Sequence, residues 1–402
     1  MESKQGQGPL QGLKVLDLST VFAGPLCAAL LADFGADVIK VEMPKIGDPL
    51  RALPPHKDGI SLWSKVTNRN KRTITLDLRH ARAREVLAPI IARQDVVIEN
   101  FRPGTLDGWG LTGGWMRSLN PRLTLVRITG FGQTGPYRDR PGFARAFEAL
   151  SGFTHLCGEE DGPPLHLGFP VSDAVGGLFA ALGALAALYE LARNPDRHGQ
   201  DIDCSMAEAM LRCMDFVVIQ QDQLGVSPKR SGNTNAYAAP GSIFETRDGQ
   251  WVSVPGSSQN VFERLTEAIG RPDLKTDPRF RSNPDRVRHR HEINGIVADA
   301  LGALTYAELE LRLDAHGIAF APVNDAKAVM EDRQFVAREA IVEVPDRELG
   351  RVRMQNVVPR FSRTPGAVQS AGESLGFHTR EVLGKFGFSS EAIASLQQEG
   401  VI

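Results

Sequence analysis

Cysteine is scarce in this chain. Cys27, Cys157, Cys204 and Cys213 are the only four in 402 residues, and none stands in a CxxC spacing. Such a scatter indicates neither a zinc site nor a disulfide framework. Charge of one sign is missing too. Lys and Arg number 46 against 48 Asp and Glu, a net charge of −2, so neither nucleic acid nor an anionic membrane is expected as a partner. There is no low-complexity tract, and the opening MESKQGQGPLQG holds no apolar signal region. The expectation is a soluble, cytoplasmic protein. The usual phosphate-cradling glycine patterns are also lacking. The first strand–helix turn reads STVFAGP, not GxGxxG, and no GxxxxGK(S/T) occurs. No GxSxG elbow is found, and no cysteine is placed to suggest a nucleophile.

What is present is alternation. Leu13–Leu18 and Asp37–Glu42 have strand patterns, and the stretch PLCAALLADFG between them is helical, with Pro25 in its first turn and Gly35 as its stop. Strand, helix and strand in about thirty residues make a parallel βαβ unit. The pattern recurs in Thr73–Leu78, a helix near Ala83–Arg93, Asp95–Asn100 and Leu123–Thr129, with a further strand at Gln200–Cys204. The fold class predicted is α/β, a doubly wound, Rossmann-like sheet whose site lies at the carboxyl ends of the strands.

The chain is organised around 168–194, GFPVSDAVGGLFAALGALAALYELARN. Ser172 and Asp173 are residues that favour an N-cap, and Pro195 cannot continue a helix. The apolar run between them reads as a buried core helix, too short and too rich in Ala and Gly for a membrane span. Asp173 has two readings, a capping carboxylate or a nucleophile held at a helix start. A helix dipole favours the anion by at most ~2 kcal/mol, whereas full burial raises a carboxylate pKa by up to ~3–5 units. A reactive Asp173 should therefore be only partly dehydrated. The pair Gly176–Gly177 suggests that another backbone closely approaches the first turn.

Glu208–Leu224 then reads as one long helix. A Pro-, Ser-, Gly- and Asn-containing stretch, Val226–Pro240, marks a boundary. Beyond it come a hairpin at Ser242–Val254 turning at Asp248–Gly249, and helices at Asn260–Ile269, near Arg288–Leu301 and at Thr305–His316. The organisation expected is a large α/β domain at 9–225, a smaller α+β domain at 226–335, and a segment at 336–402 that returns to the first. The cationic RVRHRH at Arg286–His291 reads as a solvated helix face, and HxH at His289 and His291 is weak as a chelate. No metal site is expected. The loops NFRPG, GFGQTGPY and RDRPGFAR bring backbone N–H groups and guanidinium groups to one face of the sheet, which suits an extended anionic ligand.

These residues resemble a known family. DLSTVFAGP, GADVIKVE, NRNKRTITLDL, ENFRPG, GFGQTGP and GFPVSDAVGG, in that order, look like the class III coenzyme A transferases, the formyl-CoA transferase and carnitine/bile-acid (CaiB/BaiF) relatives. The resemblance runs from Gly12 to about Val401. It implies that Asp173 is the catalytic aspartate, which forms an anhydride and then an aspartyl–CoA thioester. Helix-start N–H groups around Ala174–Gly176 could serve the oxyanions. It also implies CoA contacts from Phe22, Ala23, Leu76, Arg79, Asn100, Phe101, Arg102, Gly142, Phe143 and Arg145, with Arg79 and Arg102 as phosphate partners. Met43 and Gly108 stand where formyl-CoA transferase has arginines. Its polyglycine loop corresponds here to PGSSQN, so Gly256, Ser257, Ser258 and Gln259 are the expected substrate loop, and formyl/oxalate specificity recedes. Related racemases carry histidine and aspartate where this chain has Phe143 and Ala144.

The resemblance further implies acyl-CoA and a small organic acid as substrates, no separate cofactor, and an interlocked homodimer. Two alternatives stay open: an acyl-CoA racemase or isomerase, and a non-catalytic acyl-CoA-binding protein.

Overall fold

The computed structural model describes residues 8–256 and 258–402. They form two compact units. One holds 8–153, Leu167–Phe216 and Gln334–Ile402, the other Thr154–His166 and Val217–Arg333.

The first unit is built on a six-stranded sheet: β1 Lys14–Asp17, β2 Asp37–Glu42, β3 Lys71–Thr75, β4 Val96–Glu99, β5 Thr124–Thr129 and β6 Asp201–Ser205. Their spatial order is β3-β2-β1-β4-β5-β6, and every pairing is parallel. This is the doubly wound order, with its switch point between β1 and β4, where such sheets open a crevice at their carboxyl ends. Successive side chains of a strand point to opposite faces, and both faces are buried. Val15, Val38, Val96 and Val126 enter one apolar layer. Leu16, Ile39, Val97 and Leu125 enter the other. Each such side chain contributes about 1.5–3 kcal/mol on burial.

Helix α1, Ala23–Asp33, covers the first layer. The C-terminal segment completes the second, through Val382, Leu383, Ile393, Leu396 and Val401. It also shields the edge strand. The N–H of Thr73 donates to His378 Nδ1 at 3.1 Å and that of Thr75 to Thr379 Oγ1 at 3.0 Å, using donors that would otherwise face open solvent.

Three further helices matter for the site: α2 Ala144–Leu150, α3 Val171–Arg193 and α4 Met206–Cys213. The long helix expected over 208–224 is two, α4 and Asp215–Leu224, separated at Met214.

α3 spans 23 residues, long and apolar enough by length and composition to cross a membrane, which corrects the reading that the run is too short. Here one face is packed on protein. Gly176, Gly177, Ala180, Ala184 and Ala187 are buried, and these small residues let neighbouring backbone come close. A Cβ on Gly177 would lie 2.7 Å from the Ala23 carbonyl oxygen. The opposite face is not core. Leu178, Leu182, Leu185 and Tyr189 are exposed, so α3 is only half the buried helix expected.

The second unit has an antiparallel three-stranded sheet of Gly241–Glu245, Trp251–Pro255 and Ala321–Pro322 under helices. Arg286, expected on a solvated face, is fully buried. Its guanidinium donates to the carbonyls of Ala239 (2.6 Å) and Phe280 (3.1 Å) and stacks over Phe262.

Candidate active site

The loop after β1 is held by buried charge. Asp17, Lys40 and Lys71 stand inside parallel strands where apolar residues are the rule, and all three are buried. Lys71 Nζ lies 2.9 Å from Asp17 Oδ2 and Lys40 Nζ 3.0 Å from Asp48 Oδ2. Glu42 accepts both arms of Arg51, at 2.6 and 2.7 Å. Burial disfavours the Asp17 anion, yet Lys40, Lys71 and Ser19 outweigh it and hold the carboxyl below its ordinary range. Glu42 is likewise dehydrated, but Arg51 and Lys40 bring its pKa down to about 2. Each charge has a counter-charge, as burial demands.

That cluster anchors backbone. Lys40 donates to the Ser19 carbonyl and Asp48 Oδ1 accepts the Val21 N–H at 2.9 Å. Asn100, just past β4, clamps Thr20 from both sides. Its Oδ1 accepts the Thr20 N–H at 2.7 Å and its Nδ2 donates to the Thr20 carbonyl at 2.8 Å. Val21 sits at φ +65°, a conformation that costs a β-branched residue about 1–3 kcal/mol and persists only when its surroundings impose it.

A cavity of about 190 Å³ opens over these strand ends. Its wall consists of the turns Thr20–Ala23, Asn100–Pro103 and Thr129–Phe131. The rest comes from Arg138, Arg140, Gly142 and Phe143 before α2, from Phe147, from Met206, and from Asp173. Phe22 packs on Trp63 and edge-on against Phe169, the residue two before α3.

Among the described residues, Asp173 is the only carboxylate in that wall. It lies in the first turn of α3, but not as its cap. The helix begins at Val171 after Pro170, with no side-chain cap bond. Instead, Glu148 of α2 accepts the Ser172 N–H at 3.2 Å, and Ser172 Oγ donates to the Ala144 carbonyl at 2.9 Å. The Asp173 carboxylate is half-buried and forms no hydrogen bond or ion pair among the described residues. Burial, then the nearby Glu148 charge, raises its pKa to about 6. The N–H groups expected to serve an oxyanion are not free: Ala174 donates to the Pro170 carbonyl at 3.3 Å, and Val175 and Gly176 lie inside the helix, where the ladder uses them.

Of the residues expected to meet CoA, Phe22, Ala23, Asn100, Phe101, Arg102, Gly142 and Phe143 come together in this one wall. Three others lie outside it. Leu76 is buried in the apolar layer. Arg79 is exposed and paired with Asp77 at 2.9 Å, its Nη2 3.5 Å from Met43 Sδ. Arg145 is exposed in the first turn of α2. Gly256, Ser258 and Gln259 belong to the second unit; Ser258 caps the helix Gln259–Ala268. Ser257 lies outside the described residues. No group of three or more His, Cys, Asp or Glu side chains among the described residues could hold a metal.

Sequence reasoning missed the charge cluster, the Asn100 clamp and Glu99; it put the loop carrying Arg138 and Arg140 on the strand-end face without a separate role for either residue. Glu99 is buried just behind the wall. Burial raises its pKa to about 7 although the Phe101 N–H and Arg127 pull it down. The available signal was the set of charged residues inside otherwise apolar strands, LKVLDL, DVIKVE and VVIE.

The site is thus a crevice at the switch point of a doubly wound sheet, with one under-solvated carboxylate, Asp173, in its wall. The sequence model of CoA-transferase family III matches residues 10–379, and the chain belongs to that family, the class III CoA-transferases. The chain is 40% identical, over all of both sequences, to a succinyl-CoA–D-citramalate CoA-transferase of Chloroflexus aurantiacus. It is 41% identical to the beta subunit of a succinyl-CoA–L-malate CoA-transferase of that organism, over 98% of each chain. Among solved structures, a CaiB/BaiF family protein from Brucella suis superposes with a TM-score of 0.84 at 32% identity, covering 94% of this chain and 99% of that one.

Proposed function

We propose that the protein moves CoA from an acyl-CoA donor to a small carboxylic acid through covalent intermediates on Asp173. The observation that carries this reading is a cavity carboxylate without a partner. Raised to about 6, Asp173 is ionised at neutral pH, yet it is less stabilised by water than a free carboxylate.

A carboxylate oxygen of Asp173 attacks the thioester carbonyl. The C–S bond breaks, leaving an aspartyl–acyl anhydride and CoA thiolate. The thiolate attacks the aspartyl carbonyl, forming aspartyl–CoA thioester and releasing the donor acid as carboxylate. The acceptor carboxylate then attacks that thioester, giving a new anhydride and CoA thiolate. Thiolate attack on the acceptor carbonyl yields the new acyl-CoA and restores Asp173. No proton or electron is gained or lost over the cycle, and each step replaces a difficult exchange by an easier one.

The relatives' names favour a succinyl-type donor and a hydroxylated dicarboxylate acceptor. No histidine among the described residues lines the cavity, so proton exchange alpha to the thioester lacks the acid–base partner that racemases use. The exposed stripe Leu178, Leu182, Leu185 and Tyr189, at helical spacing on α3, supports a homodimer, and the family supports an interlocked one. A cytoplasmic location, a role for the Gly256–Gln259 loop over the anhydride, and CoA phosphate contacts from Arg79 and Arg102 belong to the same reading.

The test is chemical trapping. The protein is incubated with acyl-CoA donors, quenched with hydroxylamine or borohydride, digested and analysed by peptide mass spectrometry. Modification confined to the Asp173 peptide, and absent from Asp173→Ala, is expected. CoA binding without any adduct would overturn the covalent mechanism.

A further inference from the structure

Three guanidinium groups, those of Arg102, Arg138 and Arg140, share the cavity wall with Asp173, and they are not equivalent. Arg138 is paired with the adjacent Asp139, Nε to Oδ1 at 3.2 Å. Arg140 has no carboxylate partner among the described residues. Its guanidinium carbon lies 3.7 Å from the centre of the Tyr137 ring, and its N–H donates to the Tyr137 carbonyl at 2.9 Å, closing the turn.

Tyr137 is itself positioned. Its ring meets Phe131 edge-on at 6.0 Å, and Phe131 meets Phe147 edge-on at 5.2 Å. Phe147 is buried in the core. Glycine makes room for it on both sides. A Cβ on Gly130 would lie 2.1 Å from the Phe147 ring, and one on Gly142 would lie 2.4 Å from it. An aromatic ladder thus runs from the core to an unpaired cation on the cavity wall. Face-on stacking occupies the π surface of the guanidinium and leaves its in-plane N–H edges free. Those edges are the fork that matches a carboxylate with two parallel hydrogen bonds.

We propose that Arg140 receives the second carboxylate of a dicarboxylic substrate while the first reacts at Asp173. Arg140 is then a specificity residue that selects diacids over monoacids. The proposal rests on the transferase reading above and adds the residue that reads the second carboxylate. A phosphate of CoA offers the same anionic chemistry, but it is carried by every donor and gives no selection between acids.

The experiment compares wild-type protein with Arg140→Gln, in both binding and transfer. Calorimetric titration uses succinate, butyrate and free CoA as probes, and steady-state transfer uses succinate and butyrate as acceptors. The expected result is weaker succinate binding and a higher succinate KM, each by about tenfold, the scale of one bidentate charge-assisted pair at an accessible site. Butyrate and free CoA should be unchanged. Tyr137→Phe, which keeps the stack, should behave as wild type, whereas Tyr137→Ala should lose part of the selectivity.

Equal losses for both acids, weakened CoA binding, or no change in Arg140→Gln would each overturn the proposal. Arg140-dependent succinate binding in a protein that transfers no CoA would uphold it and refute the transferase reading instead.

Discussion

Asp48 Oδ1 accepts the backbone N–H of Val21 at 2.9 Å, and Val21 is the cavity-wall residue with φ at +65°. A buried carboxylate thus holds a strained backbone turn in the wall that faces Asp173. Asp48→Ala should cost up to about 3–5 kcal/mol in urea unfolding, because it removes the nearer of Lys40's two carboxylate partners and leaves only Asp17, 3.7 Å away. In the protein that still folds, KM for acyl-CoA should rise more than kcat falls. Adding Val21→Gly, which tolerates positive φ, should recover part of that KM. A folded Asp48→Ala protein with unaltered KM would remove Asp48 from any role in positioning this loop.

The acid limb of the pH–rate profile should report Asp173. Its pKa of about 6 means that the nucleophilic anion is depleted as pH falls through 6. kcat/KM should therefore drop with unit slope below that point. Glu148 raises this pKa, so Glu148→Gln should move the limb to lower pH. Glu99→Gln should leave its position nearly fixed, which separates the two buried carboxyls.

Asp173 should also cost stability. Its folded pKa lies above the ordinary aspartate value of 3.8, so protonation favours the folded state. That advantage is full below about 4 and is lost as pH rises through 6. Asp173→Asn should thus raise the melting temperature at pH 8, by a free energy on the order of 1–3 kcal/mol, and make little difference at pH 4. Parallel melts at the two pH values check the sign.

Gly177→Ala tests how closely α3 approaches α1. The added Cβ would sit 2.7 Å from the Ala23 carbonyl oxygen, which is backbone and cannot swing aside. The expected cost is about 1–3 kcal/mol, together with weaker CoA binding because Ala23 lines the cavity. Calorimetric titration with CoA reads the second effect.

Much of the sheet was legible. The strands at 14–17, 37–42 and 124–129 fall within a residue of the apolar runs that predict them, because a strand buried on both faces is an apolar run between turns. The site loops follow from those strands. The cap was misread because Ser and Asp suit both the cap and the first turn. What decides between them is Glu148, reaching in from another helix. The exposed side of α3 was hidden by composition, since a helix that is apolar all round shows no period by which to tell its two faces apart. Arg79 looked free, but its partner Asp77 is two residues away, and pairing over so short a span depends on side-chain geometry.

The two walls of the cavity differ in how they can change over generations. Three cations and three anions (Lys40, Lys71, Arg51; Asp17, Asp48, Glu42) interlock beneath one wall, so a lone substitution there leaves an orphan charge, and viable change must come in compensating pairs. The segment Arg138 to Pro141 is exposed, and its one ion pair among the described residues, Arg138 with Asp139, lies at the surface, so a single substitution there leaves no buried orphan charge. New acid preferences in this lineage should accordingly accumulate in that segment while the loops over the buried charges stay unaltered.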